Sequence, residues 1–243
     1  MAHKMEYDLE ELLKSSGNRK LIFEFRRLQR YIWELEFLLS KINFRIRRLV
    51  KMRNLGGIIS SVGLPTFYLE NKELTDYELD LLSKCFMFVS RLSFDQIYSI
   101  IRSSTIFSSN SEHNKLPLEW SDFIEKFYKG SLFQLNHRIK NTLSIYRREF
   151  LHIWFLRNQL KNKGEMYSNL LIEDKIQKVK MRCYIHPKIR RTKLFNLLAQ
   201  EENIKVDELK TYDFKLPEIF NKNIFLIKNF YNQLSLSIKD MSE

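Results

Sequence analysis

The sequence predicts an all-α protein: a multi-helix bundle with two long helices and a basic C-terminal helical region. Three observations predict it. Six glycines and four prolines in 243 residues are too few for a strand-rich chain, which needs turn residues about every ten positions. Apolar side chains recur at alternating spacings of four and three through a long N-terminal stretch, the pattern of a helix. Hydrophobic residues make up 44% of the chain, enough to fill a substantial core.

The first element covers about residues 19–53, where Leu21, Phe25, Leu28, Ile32, Leu35, Leu39, Ile42, Ile46 and Leu49 form an unbroken heptad seam. Such a seam keeps one stripe against a partner helix, and the helix would be about 50 Å long. Phe23, Trp33, Phe37 and Phe44 lie off the seam and predict a second buried face. The sequence NLGG (54–57) ends the helix, and residues 54–72, with Gly63 and Pro65, read as a loop. Thr75 to Glu78 fits a capping box, followed by a stripe of Leu81, Cys85, Phe88 and Leu92. Ser93 to Gln96 repeats the capping pattern and predicts a separate short helix ending near Ser103.

The polar run SSTIFSSNSEHNK (103–115) reads as a loop. Pro117 suits the first turn of a helix reaching about Lys129. A long helix is expected from Leu132 to Lys163, with Leu135, Ile139, Leu143, Tyr146, Phe150 and Ile153 as its stripe and Gly164 just past its end. Further helices are expected at Tyr167–Cys183, at Ile189–Gln200 and from Pro217 onward, the last carrying Phe220, Ile224, Ile227, Tyr231 and Leu234. Trp33, Trp120 and Trp154 sit in apolar patterns and are expected in the core. The one candidate boundary is near Pro187, dividing a helical bundle (1–186) from a C-terminal region (187–243).

Charge points to a partner. Lys and Arg total 41 against 29 acids, a net +12, which favours a polyanion, nucleic acid ahead of membrane lipid. The excess is clustered. Residues 41–53 hold Lys41, Arg45, Arg47, Arg48, Lys51 and Arg53 with no acid, and KIQKVKMRCYIHPKIRRTK (175–193) has eight basic residues with none. Arg45, Arg47, Arg48, Lys178, Lys180, Arg182, Lys188, Arg190, Arg191 and Lys193 are therefore candidate phosphate contacts, with Tyr184 or His186 able to stack on a base. Cys85 and Cys183 are the only cysteines, too few for a disulfide framework or a thiolate zinc site. No glycine fingerprint, His-Glu-x-x-His or Gly-x-Ser-x-Gly occurs, so no cofactor and no metal are expected. The acids Glu70, Glu73, Asp76, Glu78 and Asp80 suit a helix start, where they favour the dipole. The first residues lack the apolar region of a signal peptide, and no apolar run reaches the ~18 residues of a span. A cytoplasmic protein without a membrane partner is expected.

The stretch YRREFLHIWFLRNQLKNKG (146–164) carries the candidate chemistry. A metal-free ribonuclease needs a proton-transfer group at the ribose 2′-hydroxyl and a cation on the developing phosphorane charge; histidine and arginine suit these tasks. Four residues separate Arg147 from His152, and Arg148 and His152 are four apart on one helix face. In this arrangement the stretch resembles the HEPN superfamily, helical-bundle proteins whose nuclease members carry Arg followed after four to six residues by His. The resemblance covers about residues 19–183. It implies Arg147, Arg148 and His152 as catalytic residues, with Arg157-Asn158 as the family's usual Arg-polar pair and RNA contacts. It also implies an active site where two such helices meet in a homodimer. In this chain Arg148 stands where the family commonly has Asn, and Lys161 to Lys163 stand where His would follow Arg157.

The expected function is thus a HEPN-like RNA-binding protein, a metal-independent endoribonuclease of toxin or defence type. The alternatives are a noncatalytic RNA- or DNA-binding subunit of a larger complex and a transcription regulator. The last rests on RRTKLFNLLAQEENIKVDELK (190–210), which resembles the opening of bacterial helix-turn-helix regulators, although Pro217 interrupts the place of the recognition helix.

Overall fold

A computed structural model describes residues 19–54, 66–68, 73–103, 116–129, 137–161, 166–173, 176–205 and 211–242. The loop expected at 103–115, the turn with Gly63 and Pro65, and Leu132 and Leu135 of the expected long helix lie outside these residues. Eight helices are described: α1 (Arg19–Asn54), α2 (Tyr77–Ser103), α3 (Trp120–Tyr128), α4 (His137–Ile145), α5 (Arg147–Lys161), α6 (Pro187–Arg190), α7 (Lys193–Glu201) and α8 (Leu216–Ser242). Between them run β1 (Thr66–Tyr68), β2 (Glu73–Asp76), β3 (Met166–Glu173), β4 (Ile176–Tyr184) and β5 (Thr211–Lys215). Helices carry most of the core, as the heptad seam predicts. The multi-helix fold expected from the sequence is the fold observed; the strands, which were not expected, pair as one antiparallel sheet in the order β1-β2-β3-β4-β5.

The chain divides into two compact units, neither continuous in sequence. The first comprises residues 1–33, 91–147 and 225–243, the second residues 34–90 and 148–224. No boundary falls near Pro187, because β5 pairs with β4 in register Lys180↔Lys215 to Tyr184↔Thr211 and Phe195 of α7 stacks on Phe155 of α5 at 5.7 Å between centroids.

In the first unit the seam residues Leu21, Phe25, Leu28 and Ile32 are buried. Phe94, Tyr98, Trp120 and Phe123 form an aromatic cluster with centroids 4.9–6.0 Å apart. The Tyr98 hydroxyl donates to the Pro117 carbonyl at 2.5 Å, and burial pushes its phenol well above the ordinary range. Glu24 is buried and accepts from Ser99 Oγ at 2.8 Å and Ser103 Oγ at 3.3 Å. Residues 77–103 are one helix. Ser93 lies buried inside it instead of capping a second one.

In the second unit the core is built from Leu35, Leu39, Ile42 and Leu49 of α1, Leu79 and Phe86 of α2, Leu151, Trp154 and Phe155 of α5, and Phe220 of α8. Phe86 and Phe220 stack at 4.0 Å. The cap of α2 is Asp76, whose Oδ1 accepts from Leu79 N at 2.8 Å; Thr75, expected to cap it, is instead a strand residue paired with Asn169. The stripe read on α2 faces outward at Leu81, Cys85 and Phe88. The second buried face expected on α1 is likewise exposed: Phe23 and Phe44 by 65%, Trp33 by 57% and Phe37 by 59%. Trp120 and Trp154 are buried as expected.

Candidate functional site

Strand β4 explains the basic run 175–193. Its sequence IQKVKMRCY alternates cation and apolar residue, and period two is the signature of a strand with one covered face. The helix expected at Tyr167–Cys183 is therefore the hairpin β3–β4, with Met166↔Cys183 through Glu173↔Ile176 in register. Positions 178, 180 and 182 share one face and 179, 181 and 183 the other. Cys183 is fully buried while Tyr184 is 45% exposed, so positions 178, 180 and 182 share the face of the strand opposite that of buried Cys183. Across the sheet on that face, Lys215 stands opposite Lys180 and Asp213 opposite Arg182.

The strand runs directly into α6 and α7. His186 caps α6 through Nδ1, which accepts from Lys188 N at 3.2 Å, and Thr192 caps α7 by accepting from Phe195 N at 3.3 Å. Lys188, Arg191 and Lys193 are exposed and Arg190 is half-buried. A buried amide fixes the joint: Gln159 of α5 donates to the Tyr184 carbonyl at 3.0 Å and accepts from His186 N at 3.3 Å. From 175 to 193, through β4, the joint, α6 and the first residue of α7, the sequence thus carries eight cations and no acid.

The stretch singled out for chemistry is arranged differently. The expected long helix breaks at Tyr146, a turn between α4 and α5. Arg147 belongs to the first unit, its guanidinium 5.7 Å from the Tyr128 ring centroid. Arg148 and His152 belong to the second, where both meet Glu202. Arg148 Nη2 donates to Glu202 Oε2 at 2.9 Å, and His152 Nε2 lies 3.0 Å from Oε1. The shared helix face of Arg148 and His152 is borne out; Arg147 and His152 have different partners.

Glu202 is held in place by the end of α7. Asn203 N–H reaches the Gln200 carbonyl at 3.2 Å and Ile204 N–H the Ala199 carbonyl at 2.9 Å. Asn203 takes the left-handed conformation at φ 54°. This is the two-bond helix stop usually built on glycine, for which Asn is the common substitute. It turns the Glu202 carboxylate back onto α5.

Burial lowers the His152 imidazole to about 4, with Arg148 and Lys222 acting in the same direction and Glu202 opposing them. At neutral pH the His152–Glu202 contact is therefore a hydrogen bond from neutral Nε2–H to a carboxylate. The ion pair at this site is Arg148–Glu202. With its side chain 12% exposed, His152 presents little surface to a ribose.

Two candidate cations, Arg45 and Arg157, are not on the surface where phosphate could meet them. Arg45 is 2% exposed, with Nε donating to Asp76 Oδ1 at 3.0 Å and Nη1 2.9 Å from Glu78 Oε2. It neutralises the acids that cap α2, and the hydrogen bond with Asp76 pushes its own pKa up. Arg157 is 6% exposed. The Asn158 amide, half-buried, donates to the Trp154 carbonyl at 2.8 Å. Arg47 and Arg48 are exposed on α1. The stretch expected to open a helix-turn-helix is α7, after which Thr211–Lys215 is a strand where a recognition helix would be needed.

Among the described residues no group of His, Cys, Asp and Glu could hold a metal ion, and no described helix is long and apolar enough to cross a membrane. No protein-family model, curated protein or solved structure matches the chain.

Proposed function

We propose that the protein is a noncatalytic nucleic-acid-binding protein that grips RNA along β4, α6 and α7. The observation that carries this reading is the run 175–193, which has eight cations and no acid, alternates cation and apolar residue along β4 and continues through α6 to the first residue of α7, with Lys188, Arg191 and Lys193 exposed. Evenly placed lysines and arginines on a sheet face, with a half-exposed tyrosine at the strand end, suit a backbone-tracking surface with a stacking residue. RNA is placed ahead of DNA on the resemblance of residues 147–158 to the HEPN helix. Endoribonuclease chemistry by Arg147, Arg148 and His152 is the weaker reading, because Glu202 engages two of the three and the imidazole lies largely buried.

Binding of labelled single-stranded RNA at several salt concentrations tests the proposal. Affinity should fall steeply with salt as phosphate counterions are released. Replacing Arg182, Lys188, Arg190 and Arg191 together by Glu should weaken all sequences alike and flatten the salt slope by roughly one per lost contact. Unchanged binding in that variant, or no binding by wild type at low salt, would overturn it. His152→Ala should cut no RNA that wild type leaves intact; chelator-resistant cleavage by wild type alone would restore the nuclease reading.

A further inference from the structure

We infer that the outward face of α1 between Phe37 and Lys51 is a stacking surface for unpaired bases, so the nucleic acid bound is single-stranded. The inference rests on the binding function proposed above but on a different part of the second unit. Phe37, Lys41, Phe44, Arg48 and Lys51 follow one another at spacings of four, three, four and three, which puts them on one side of a continuous helix. All five are exposed. The inward side of the same stretch is complete without them, since Leu35, Leu39, Ile42 and Leu49 are buried and Arg45 is anchored by Asp76.

Two phenylalanines exposed by 59% and 65% within about 10 Å of helix do nothing for the core. Their surroundings identify what would cover them. The Lys41 ammonium lies 5.1 Å from the Phe37 ring centroid. Lys41, Arg47, Arg48 and Lys51 are exposed, and no acid occurs from Phe37 to Arg53. An apolar protein surface would cover the rings but leave these cations without partners. A second copy docked through the same face would bring cations against cations.

A single-stranded nucleic acid meets both demands. Its bases stack on the aromatic faces while its phosphates reach the neighbouring lysines and arginines. A duplex cannot use the rings, because its base faces are already stacked on each other. The surface therefore selects strand state rather than sequence, since every base has a face to stack.

The test compares the affinity of full-length protein for a short oligouridylate and for a duplex RNA of equal length. Phe37→Leu with Phe44→Leu keeps apolar bulk but removes the rings. It should lower single-strand affinity at least about tenfold, leave duplex affinity and the salt slope unchanged, and keep the wild-type melting curve. Phe37→Tyr with Phe44→Tyr should bind as wild type does. If the leucine variant binds oligouridylate like wild type, the face is not a stacking site. Wild-type dimers that dissociate in the leucine variant, or an acidic helical peptide that binds this face in place of oligouridylate, would overturn the inference in favour of a protein partner. The two proposals fail separately. Loss of binding in the leucine variant but not in the charge-reversed one removes the β4 reading and keeps this one, and the reverse result removes this one. Absence of any wild-type binding removes both.

Discussion

His152 should make the protein acid-sensitive over a defined window. In the folded chain its imidazole is lowered from the ordinary 6.5 to about 4, chiefly by burial. Between those values the unfolded chain binds a proton that the folded chain refuses, so lowering the pH favours unfolding. The contribution is fully present above about pH 6.5 and is lost progressively as the pH falls toward 4. At about 1.4 kcal/mol per unit, the whole shift corresponds to about 3 kcal/mol, of which about 2 kcal/mol is lost by about pH 5. The perturbation is His152→Gln, which can still donate to Glu202 but does not titrate. Denaturant unfolding of both proteins, at about pH 7.5 and about pH 5, gives the double difference and cancels the carboxylates that titrate in both. Wild type should lose about 2 kcal/mol more than the variant over this interval. Equal losses, or a His152 imidazole that titrates near 6.5 by nuclear magnetic resonance, would refute the reasoning.

Asp76→Ala should destabilise by about 3–5 kcal/mol in denaturant titration, because it strands Arg45, 2% exposed, without its main counter-charge and removes the α2 cap. Gln159→Leu should cost about 1–3 kcal/mol. It should also speed amide exchange of His186, whose N–H loses its acceptor in that side chain.

The helical scaffold was legible where one period ran uninterrupted. The seam from Leu21 to Leu49 predicted α1 to within a residue of its observed ends, because a burial pattern sustained over about eight turns has few other interpretations. The aromatics of α1 lie outward against expectation because periodicity reports which residues share a face and not whether a neighbour covers it. The sheet was missed for another reason. β1 and β2 are only 3 and 4 residues long, too short to express alternation, and Thr75–Glu78 imitates a cap. In β4 the alternation is present in KVKMRC, but it spans only six residues, too few to separate a strand from a helix by period alone. Glycine was also too narrow a marker for helix ends, since Asn203 makes the α7 stop. At the candidate site, the proximity of Arg148 and His152 followed from a spacing of four. Glu202, 54 residues from Arg148 along the chain, left no local trace.

The pairing of β2 with β3 joins Glu73 to Leu171, about a hundred residues apart, and this imposes an order of events on synthesis. While the chain is being made at about 5–20 residues per second, β1 and β2 emerge many seconds before their next strand exists. During that interval the β1–β2 hairpin has an open edge, the kind of edge that recruits strands from other chains. Closing so large a loop also delays the sheet relative to the helices, whose contacts are local. Slowed translation between residues 76 and 166 should therefore raise the aggregated fraction, whereas a pause placed after β3 and β4 have left the ribosome should not.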